Sequence, residues 1–216
     1  STLINIVRTP AAGSGVYEAG FDLTSRDVAA PRGELSYSGR NGNIEWGLGG
    51  SIFSQYRDLP GWRTLYEEPG DVYVGRAETP SPRDFRETTL NGNVAFPLLG
   101  GRLSANSQLN WWRFHADSDY IFYDAADVFS DSVESVFEEQ KRGYEVGLNY
   151  ERDFGPWSMA LIGLVNRGVY TSEEDGILTN LPIAEYYQDV RQETGETIFR
   201  ATLSRPLGPR QRIEFG

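Results

Sequence analysis

Apolar and polar residues alternate along this chain in segment after segment. Between Arg102 and Trp112, the odd-numbered positions include Leu103, Leu109 and Trp111, whereas the even-numbered positions before Trp112 are serine, asparagine and glutamine. A repeat of two residues predicts a β-strand, because successive side chains of a strand point to opposite faces. One face of such a strand can meet hydrocarbon and the other can meet water, although a soluble β-sandwich shows the same alternation.

Nine segments carry this pattern, and the connections between them alternate between short and long. The predicted strands are Tyr17–Leu23, Gly33–Gly39, Asn43–Ser54, Phe85–Phe96, Arg102–Phe114, Tyr144–Arg152, Trp157–Tyr170, Glu196–Arg205 and Gln211–Gly216. Tight turns are predicted at Asn41-Gly42, Leu99-Gly100-Gly101, Gly155-Pro156 and Pro206-Leu207-Gly208-Pro209, and long polar loops over Gln55–Asp84, Ala116–Arg142 and Thr171–Gln192. All long loops then lie at one end of the sheet. This favours an antiparallel, up-and-down transmembrane β-barrel over a Greek-key sandwich.

Composition agrees with an all-β protein and excludes some functions. Hydrophobic residues make up 39% of the chain, and no apolar run approaches the ~20 residues of a membrane helix. A net charge of -11 argues against nucleic acid as a partner, since that function needs a basic surface. Gln211–Gly216 resembles a strand that is just starting, so we expect this chain to be part of a larger barrel.

A short segment ahead of the first strand resembles a known family. Thr2-Leu3-Ile4-Asn5-Ile6-Val7-Arg8-Thr9-Pro10 is similar to the end of the plug domain in TonB-dependent receptors, where such a strand leads directly into the barrel. The resemblance implies that residues 1–12 are the last plug strand and a linker. It also implies that residues 13–216 are the N-terminal part, about nine strands, of a larger plugged barrel. The rest of the plug, the coupling segment and the remaining strands would lie outside this sequence.

The resemblance also implies a function and a location. Such a receptor sits in the outer membrane of a Gram-negative cell, surrounded by lipid. It takes up a scarce ligand such as a ferric siderophore, driven through the TonB complex, which would contact the missing upstream segment. Two alternatives remain at this point: a passive porin or structural barrel, against which Leu3–Val7 argues, and a soluble β-sandwich binding domain.

The polar positions of the strands are expected to face the lumen of the barrel. In the family that wall contacts the plug, whereas the plainer interpretation is a hydrated pore wall. The predicted lumen residues are Glu18, Asp22, Glu34, Glu45, Asn91, Asn93, Asn106, Asn149 and Glu151. Trp157–Tyr170 departs from the pattern, because its middle is apolar on both faces, and this suggests that something covers its lumen side.

Aromatic residues near the long-loop end form the candidate ligand site. Trp112, Tyr120, Tyr123, Tyr186 and Tyr187 either belong to an interfacial girdle or form an aromatic platform for a ligand at the loop mouth. Acidic residues gather in the long loops, while Arg40, Arg102, Arg205, Arg210 and Arg212 lie near the tight turns. A negative mouth favours a cationic, neutral or metal-chelate ligand.

Catalytic and metal-binding interpretations are weak. His115 is the only histidine, no cysteine is present, and no G-x-S-x-G motif occurs, so we predict no catalytic residue, no metal site and no cofactor. The acidic run of Asp117, Asp119, Asp124, Asp127 and Asp131 lacks EF-hand spacing and reads as a solvated loop. Asp131 and Glu134 form a possible capping box for a short helix.

Overall fold

One antiparallel β-sheet contains all the regular structure of the computed structural model. The structure describes residues 13–24, 28–58, 61–79, 82–178, 185–209 and 211–216. The strands are β1 (Gly13–Leu23), β2 (Ala29–Asn41), β3 (Ile44–Asp58), β4 (Gly61–Glu67), β5 (Val72–Thr79), β6 (Pro82–Leu98), β7 (Gly101–Asp124), β8 (Phe129–Phe154), β9 (Trp157–Leu178), β10 (Glu185–Gly208) and β11 (Gln211–Phe215). These ranges contain no helix that is long and apolar enough to cross a membrane.

The strands follow one another across the sheet almost in chain order. Nine of them form the path β1-β2-β3-β6-β7-β8-β9-β10-β11, and each pair along it is antiparallel. These nine correspond to the nine predicted segments, so the all-β, antiparallel, up-and-down prediction is confirmed. In the described part of the chain, β1 and β11 are the two edges of the sheet and do not pair with each other.

The remaining two strands make a hairpin that extends the sheet at one end. β4 pairs with β5, and β5 pairs with the last residues of β7, from Ile121 to Asp124. Gly75 is the residue of β5 that faces Asp124, and its φ of 151° is a conformation that side chains rarely adopt. A Cβ at Gly75 would collide with the backbone carbonyl of Tyr123, so glycine allows this close approach.

The extents predicted for the three long loops were wrong, because strands occupy most of each segment. The segment Gln55–Asp84 holds the end of β3, the β4–β5 hairpin and the start of β6. In the segment Ala116–Arg142, β7 and β8 continue to a turn at residues 125–128, and the predicted helix at Asp131 is part of β8. In the third segment, Thr171–Gln192, β9 runs to Leu178 and β10 starts at Glu185. Polar and charged residues occur on both faces of these strand ends, with aromatic and aliphatic residues among them, so the ends lack the regular alternation that marks a strand.

Three of the four tight turns were predicted correctly, and the turns define one end of the sheet, called here the lower end. Gly42, Gly100 and Gly155 occupy these turns with φ values of 59°, 78° and 58°, which glycine adopts without strain. The last predicted turn lies slightly further along the chain, since β10 extends to Gly208. The opposite end, with the β4–β5 hairpin and the 125–128 turn, is the upper end.

Within the described residues, no second layer packs on this sheet to enclose a protein core. Among the described residues, the only buried hydrophobic side chains are the alanines Ala30, Ala77, Ala95 and Ala116, and no large side chain is fully buried. Many large apolar residues are exposed instead, including Leu48 at 64% and Phe199 at 77%. The predicted plug strand and Arg210 lie outside the described residues.

Candidate ligand-facing surface

The strand register divides the lower and middle parts of the sheet into an apolar face and a polar face. Residues that pair across strands share a face, so one row can be followed from β1 to β10. A row on the apolar face consists of Tyr17, Leu35, Gly50, Leu90, Leu109, Tyr144, Arg167 and Gly195. The row beneath it includes Tyr37, Leu48, Val146 and Val165. On this face Val146 is 41% exposed and Leu148 is 48% exposed, so no other part of the described chain covers them.

The apolar segments of successive strands form an oblique band. The row through Tyr17 passes three residues below the middle of the apolar segment Tyr17–Leu23 on β1. The same row reaches Gly195 on β10, six residues above the middle of Phe199–Leu203. The band therefore shifts by nine residues over seven inter-strand steps, or about 1.3 residues per strand. With a rise of ~3.4 Å per residue and a strand spacing of ~4.8 Å, the band crosses the strands at about 43° from the perpendicular.

Above the band, the apolar face becomes charged. One row there consists of Ser54, Arg86, Arg113, Gln140, Thr171 and Arg191, and the next of Tyr56, Asp84, His115, Glu138, Glu173 and Asp189. Arg113 donates to Glu138 at 2.6 Å, and Glu138 also lies 3.0 Å from Nδ1 of His115. The hydrogen bond from Arg113 lowers the pKa of the Glu138 carboxyl, and His115 adds to the effect.

The polar face carries all nine predicted lumen residues. Glu18 faces Glu34, and Asn93 faces Asn106, with the remaining members on the same side of their strands. The amides of Asn93 and Asn106 lie over Gly47 and Gly147 respectively, so each amide occupies the space that a Cβ would need. The result is a floor of glycines and amides across β3, β6, β7 and β8.

Charged members of the predicted lumen set are held by neighbours. Glu45 accepts from both Arg40 and Arg102, and Arg32 donates to Asp22 at 3.0 Å. Asn149 donates to Glu151 at 3.0 Å. On β9 and β10 the polar face is interrupted by Ile162, Leu164 and Ile198, which agrees with the apolar stretch noted in the sequence. No described residue covers Ile162 or Ile198 fully, since they are 41% and 40% exposed.

Above the amide floor, the polar face becomes aromatic. The ring of Phe53 lies 6.2 Å from that of Phe85, Phe85 lies 6.0 Å from Trp112, and Trp112 lies 6.1 Å from Tyr170. We call this line across β3, β6, β7 and β9 the aromatic row. Phe114 and Phe137 make a further pair above it, with ring centres 6.0 Å apart.

Arginine accompanies these rings. Arg57 and Arg83 face each other on β3 and β6, two residues above the position where Gln55 faces Phe85. Together with Phe114, these four residues line a pocket of about 130 Å³. At the very top of this face, the guanidinium of Arg63 lies 5.6 Å from the ring of Tyr120.

The five predicted ligand residues divide between the two faces. Trp112, Tyr120 and Tyr186 lie on the polar face, whereas Tyr123 and Tyr187 lie on the opposite face with Arg76 and Asp175 as cross-strand neighbours. They do not form one platform. Tyr186 donates to Glu174 at 3.0 Å, and burial together with this hydrogen bond raises the pKa of the Tyr186 phenol.

The sequence analysis did not predict five residues of this surface as ligand candidates: Phe53, Phe85, Tyr170, Arg57 and Arg83. Two of them, Arg57 and Arg83, lie in segments that were predicted as loop. The alternation of the sequence could have identified the aromatic residues, because Phe53, Phe85 and Trp112 all fall on positions that share the polar face.

The acidic residues of the predicted second loop are dispersed. Asp117 and Asp119 point to one face, Asp131 to the other, and Asp127 accepts from Arg76 in the turn region at 2.6 Å. No group of three or more side chains in the described ranges is placed to hold a metal ion.

No protein-family model matches the sequence, and no curated protein matches it.

Proposed function

We propose that this chain is part of the wall of a transmembrane β-barrel in a Gram-negative outer membrane, and that the barrel is a TonB-dependent receptor. The observation that carries the proposal is that both faces change in composition at one level of the sheet. Below that level one face is apolar and the other is polar; above it the first is charged and the second is aromatic. We expect this change in composition in a strand whose outer side passes from lipid into water and whose inner side borders a ligand vestibule.

The slope of the apolar band supports a barrel in a membrane. Strands of outer-membrane barrels tilt by ~35–45°, and a level lipid layer then meets each successive strand at a shifted position. The shift of about 1.3 residues per strand gives about 43°, within that range. A flat sheet of untilted strands would keep its apolar positions in level rows.

The height of the band also fits. On β7 the apolar positions run from Leu103 to Trp111, eight residue steps, or about 27 Å along the strand. At a tilt of about 43° this spans about 20 Å along the membrane normal, close to the ~25 Å apolar band of such barrels. The strands β7 to β10 have 22 to 26 residues, so they extend well beyond the bilayer at the upper end.

The sandwich alternative requires a second sheet over the apolar face. The described chain contains one sheet only, and that face is left exposed. A passive porin would have the same kind of barrel wall and would differ from a receptor in its transport mechanism. The wall therefore does not distinguish these two alternatives. What favours the receptor is the resemblance of Ile4–Arg8 to the end of a plug domain, which is a sequence observation alone.

In this proposal the wall residues do no covalent chemistry. The aromatic and arginine side chains of the upper polar face bind a scarce ligand such as a ferric siderophore, and the amide floor below them contacts a plug. Energy from the inner membrane, delivered by the TonB complex, then drives release of the ligand inward.

The absence of cysteine makes a direct topology test possible. Thr64→Cys in β4 reports on the upper end, and Asn43→Cys in a tight turn reports on the lower end. An impermeant maleimide added to intact cells should label position 64 only, and should label both positions once the outer membrane is broken. Equal labelling of both positions in intact cells would reject this orientation.

A second test separates the receptor from the porin. Ligand uptake that continues without TonB would reject the receptor in favour of the porin.

A further inference from the structure

Two arginines at the top of the apolar band carry charges that the described chain does not neutralise. Arg142 on β8 faces Val169 on β9, and Tyr144 faces Arg167, so Arg142 and Arg167 are diagonal neighbours on the same face. In the described ranges, neither guanidinium forms an ion pair with a carboxylate, and Arg142 donates to the neutral amide oxygen of Gln140 at 3.4 Å. In the charged rows above them, three arginines do form ion pairs: Arg86 with Asp84 at 3.0 Å, Arg113 with Glu138 at 2.6 Å, and Arg191 with Glu193 at 2.7 Å.

Neutral acceptors hold the side chain of Arg167 in place. Its guanidinium donates to the backbone carbonyls of Asn166 and Glu196, both at 2.7 Å, and to the hydroxyl of Thr197 at 3.0 Å. The side chain passes over Gly195, where an added Cβ would lie 2.9 Å from Cδ of Arg167. These hydrogen bonds orient the guanidinium on the apolar face but leave its positive charge uncancelled.

In the proposed barrel, both charges would lie inside the hydrocarbon layer. Arg142 is five residues above the middle of the apolar segment Tyr144–Tyr150, or about 12 Å from the bilayer centre at about 2.5 Å per residue. Because the band shifts by about 1.3 residues from β8 to β9, Arg167 lies about four residues above the middle of the band on β9, or about 11 Å from the centre. Both depths are less than the ~15 Å half-thickness of the hydrocarbon core. A charge at this depth is costly unless a counter-charge accompanies it.

The surroundings of the two arginines suit a lipid that carries the counter-charge. Trp111 faces Arg142 and is 43% exposed, and Tyr144 faces Arg167 and is 44% exposed. Tryptophan and tyrosine favour the level at which lipid headgroups meet hydrocarbon. Below this level the same face is aliphatic, beginning with Val146. Guanidinium groups bind phosphate oxygens through parallel hydrogen bonds, so a phosphate above acyl chains complements this surface in charge and in polarity.

We propose that Arg142 and Arg167 bind the phosphate group of a phosphorylated lipid in the outer leaflet, and that the acyl chains of this lipid lie on the apolar face below. The inference rests on the proposed function, since it requires this face to meet the membrane. It goes beyond that function, because it assigns a lipid site to the outer side of the wall, on the opposite face from the aromatic row.

Three probes separate the contributions of the phosphate and the acyl chains. Dioleoyl phosphatidate has both, dioleoylglycerol has the chains without the phosphate, and glycerol 3-phosphate has the phosphate without the chains. Binding to the full-length protein in detergent is measured by native mass spectrometry over a titration. We expect dioleoylglycerol to bind at least about tenfold more weakly than phosphatidate, because the hydrogen bonds to a charged group are lost. Glycerol 3-phosphate should also bind at least about tenfold more weakly, because it buries no acyl chain.

Variants with a matched control complete the test. Arg142→Gln and Arg167→Gln should each weaken phosphatidate binding about tenfold, and Arg142→Lys should restore part of it. Lys141→Gln removes a positive charge from the adjacent residue, which lies on the polar face opposite Trp112, and should change binding less than twofold. Arg142→Gln leaves the hydrogen bonds of Arg167 in place, so it tests the site even if Arg167→Gln disturbs folding.

Four results would overturn the inference. They are equal binding of phosphatidate and dioleoylglycerol, equal binding of phosphatidate and glycerol 3-phosphate, no binding of phosphatidate, and an Arg142→Gln variant that binds it as well as the Lys141→Gln variant does. Any of these results, combined with maleimide labelling at the upper end only, would leave the proposed barrel intact, so the two failures are distinguishable.

Discussion

Placing an arginine on the apolar face should destabilise the protein by an amount that depends on depth. The apolar segment of β8 runs from Tyr144 to Tyr150, and Leu148 lies one residue from its middle. At a tilt of about 43°, each residue along a strand changes depth by about 2.5 Å. In the proposed barrel, Leu148→Arg would put the charge about 2.5 Å from the bilayer centre, where it should cost about 2–4 kcal/mol.

The same substitution higher on the strand gives the internal comparison. Gln140 is on the same face, seven residues from the middle of the apolar segment, or about 17 Å from the centre. This exceeds the ~15 Å half-thickness of the hydrocarbon core, so Gln140→Arg should cost about 0–1 kcal/mol. Gln108→Arg is the control for the polar face at mid-height, where Glu145 is its cross-strand neighbour. It should change stability by less than about 1 kcal/mol.

The assay is reversible unfolding in urea of the full-length protein inserted in lipid vesicles. Vesicles with longer acyl chains should widen the zone in which arginine is costly. If Leu148→Arg and Gln140→Arg cost the same, or if the cost does not respond to acyl-chain length, then lipid is not the environment of this face.

Two further outcomes follow from local geometry. Gly75→Ala should strain the backbone where β5 meets β7, at a cost of about 1–3 kcal/mol, and should speed amide exchange in the β4–β5 hairpin. Gly163→Ala is the control, because a Cβ at this position meets no atom within 4 Å, and it should cause neither effect. Glu138 has a lowered pKa, so its stabilising contribution is present above the unfolded pKa and is lost as the pH falls through the folded value. Arg113→Gln should raise the pKa of Glu138 in a carbon-13 titration, whereas Arg86→Gln should leave it unchanged.

The sequence predicted the sheet well where lipid and water would impose opposite demands on its two faces. Leu103, Leu109, Val146 and Leu148 alternate with polar residues, and the structure places them on one exposed face. The strand ends above the band were predicted as loops because both of their faces are polar or mixed. Pairing with a neighbour holds them as strands, and pairing is a property of the sheet that no single segment displays.

The candidate site was only partly predictable for a related reason. Trp112 and Tyr186 were identified as aromatic residues near the upper end, but proximity in sequence does not show which face a residue occupies. Tyr123 follows a register shift after Phe122, and Tyr187 has the opposite phase to Tyr186. Phe53 on β3 and Phe85 on β6 are separated in the sequence by the β4–β5 hairpin. Their contact can therefore be predicted only when the register between β3 and β6 is known.

Two adjacent tryptophans offer the most direct measurement of which face meets lipid. Trp111 lies on the apolar face at the top of the band and is 43% exposed, whereas Trp112 lies in the aromatic row on the polar face. Single-tryptophan variants of the full-length protein, with the other tryptophans replaced by phenylalanine, would be placed in vesicles containing brominated lipid. We predict strong quenching of Trp111 by the lipid and quenching of Trp112 by aqueous iodide instead. Equal lipid quenching at both positions, or none at Trp111, would contradict a membrane-facing sheet.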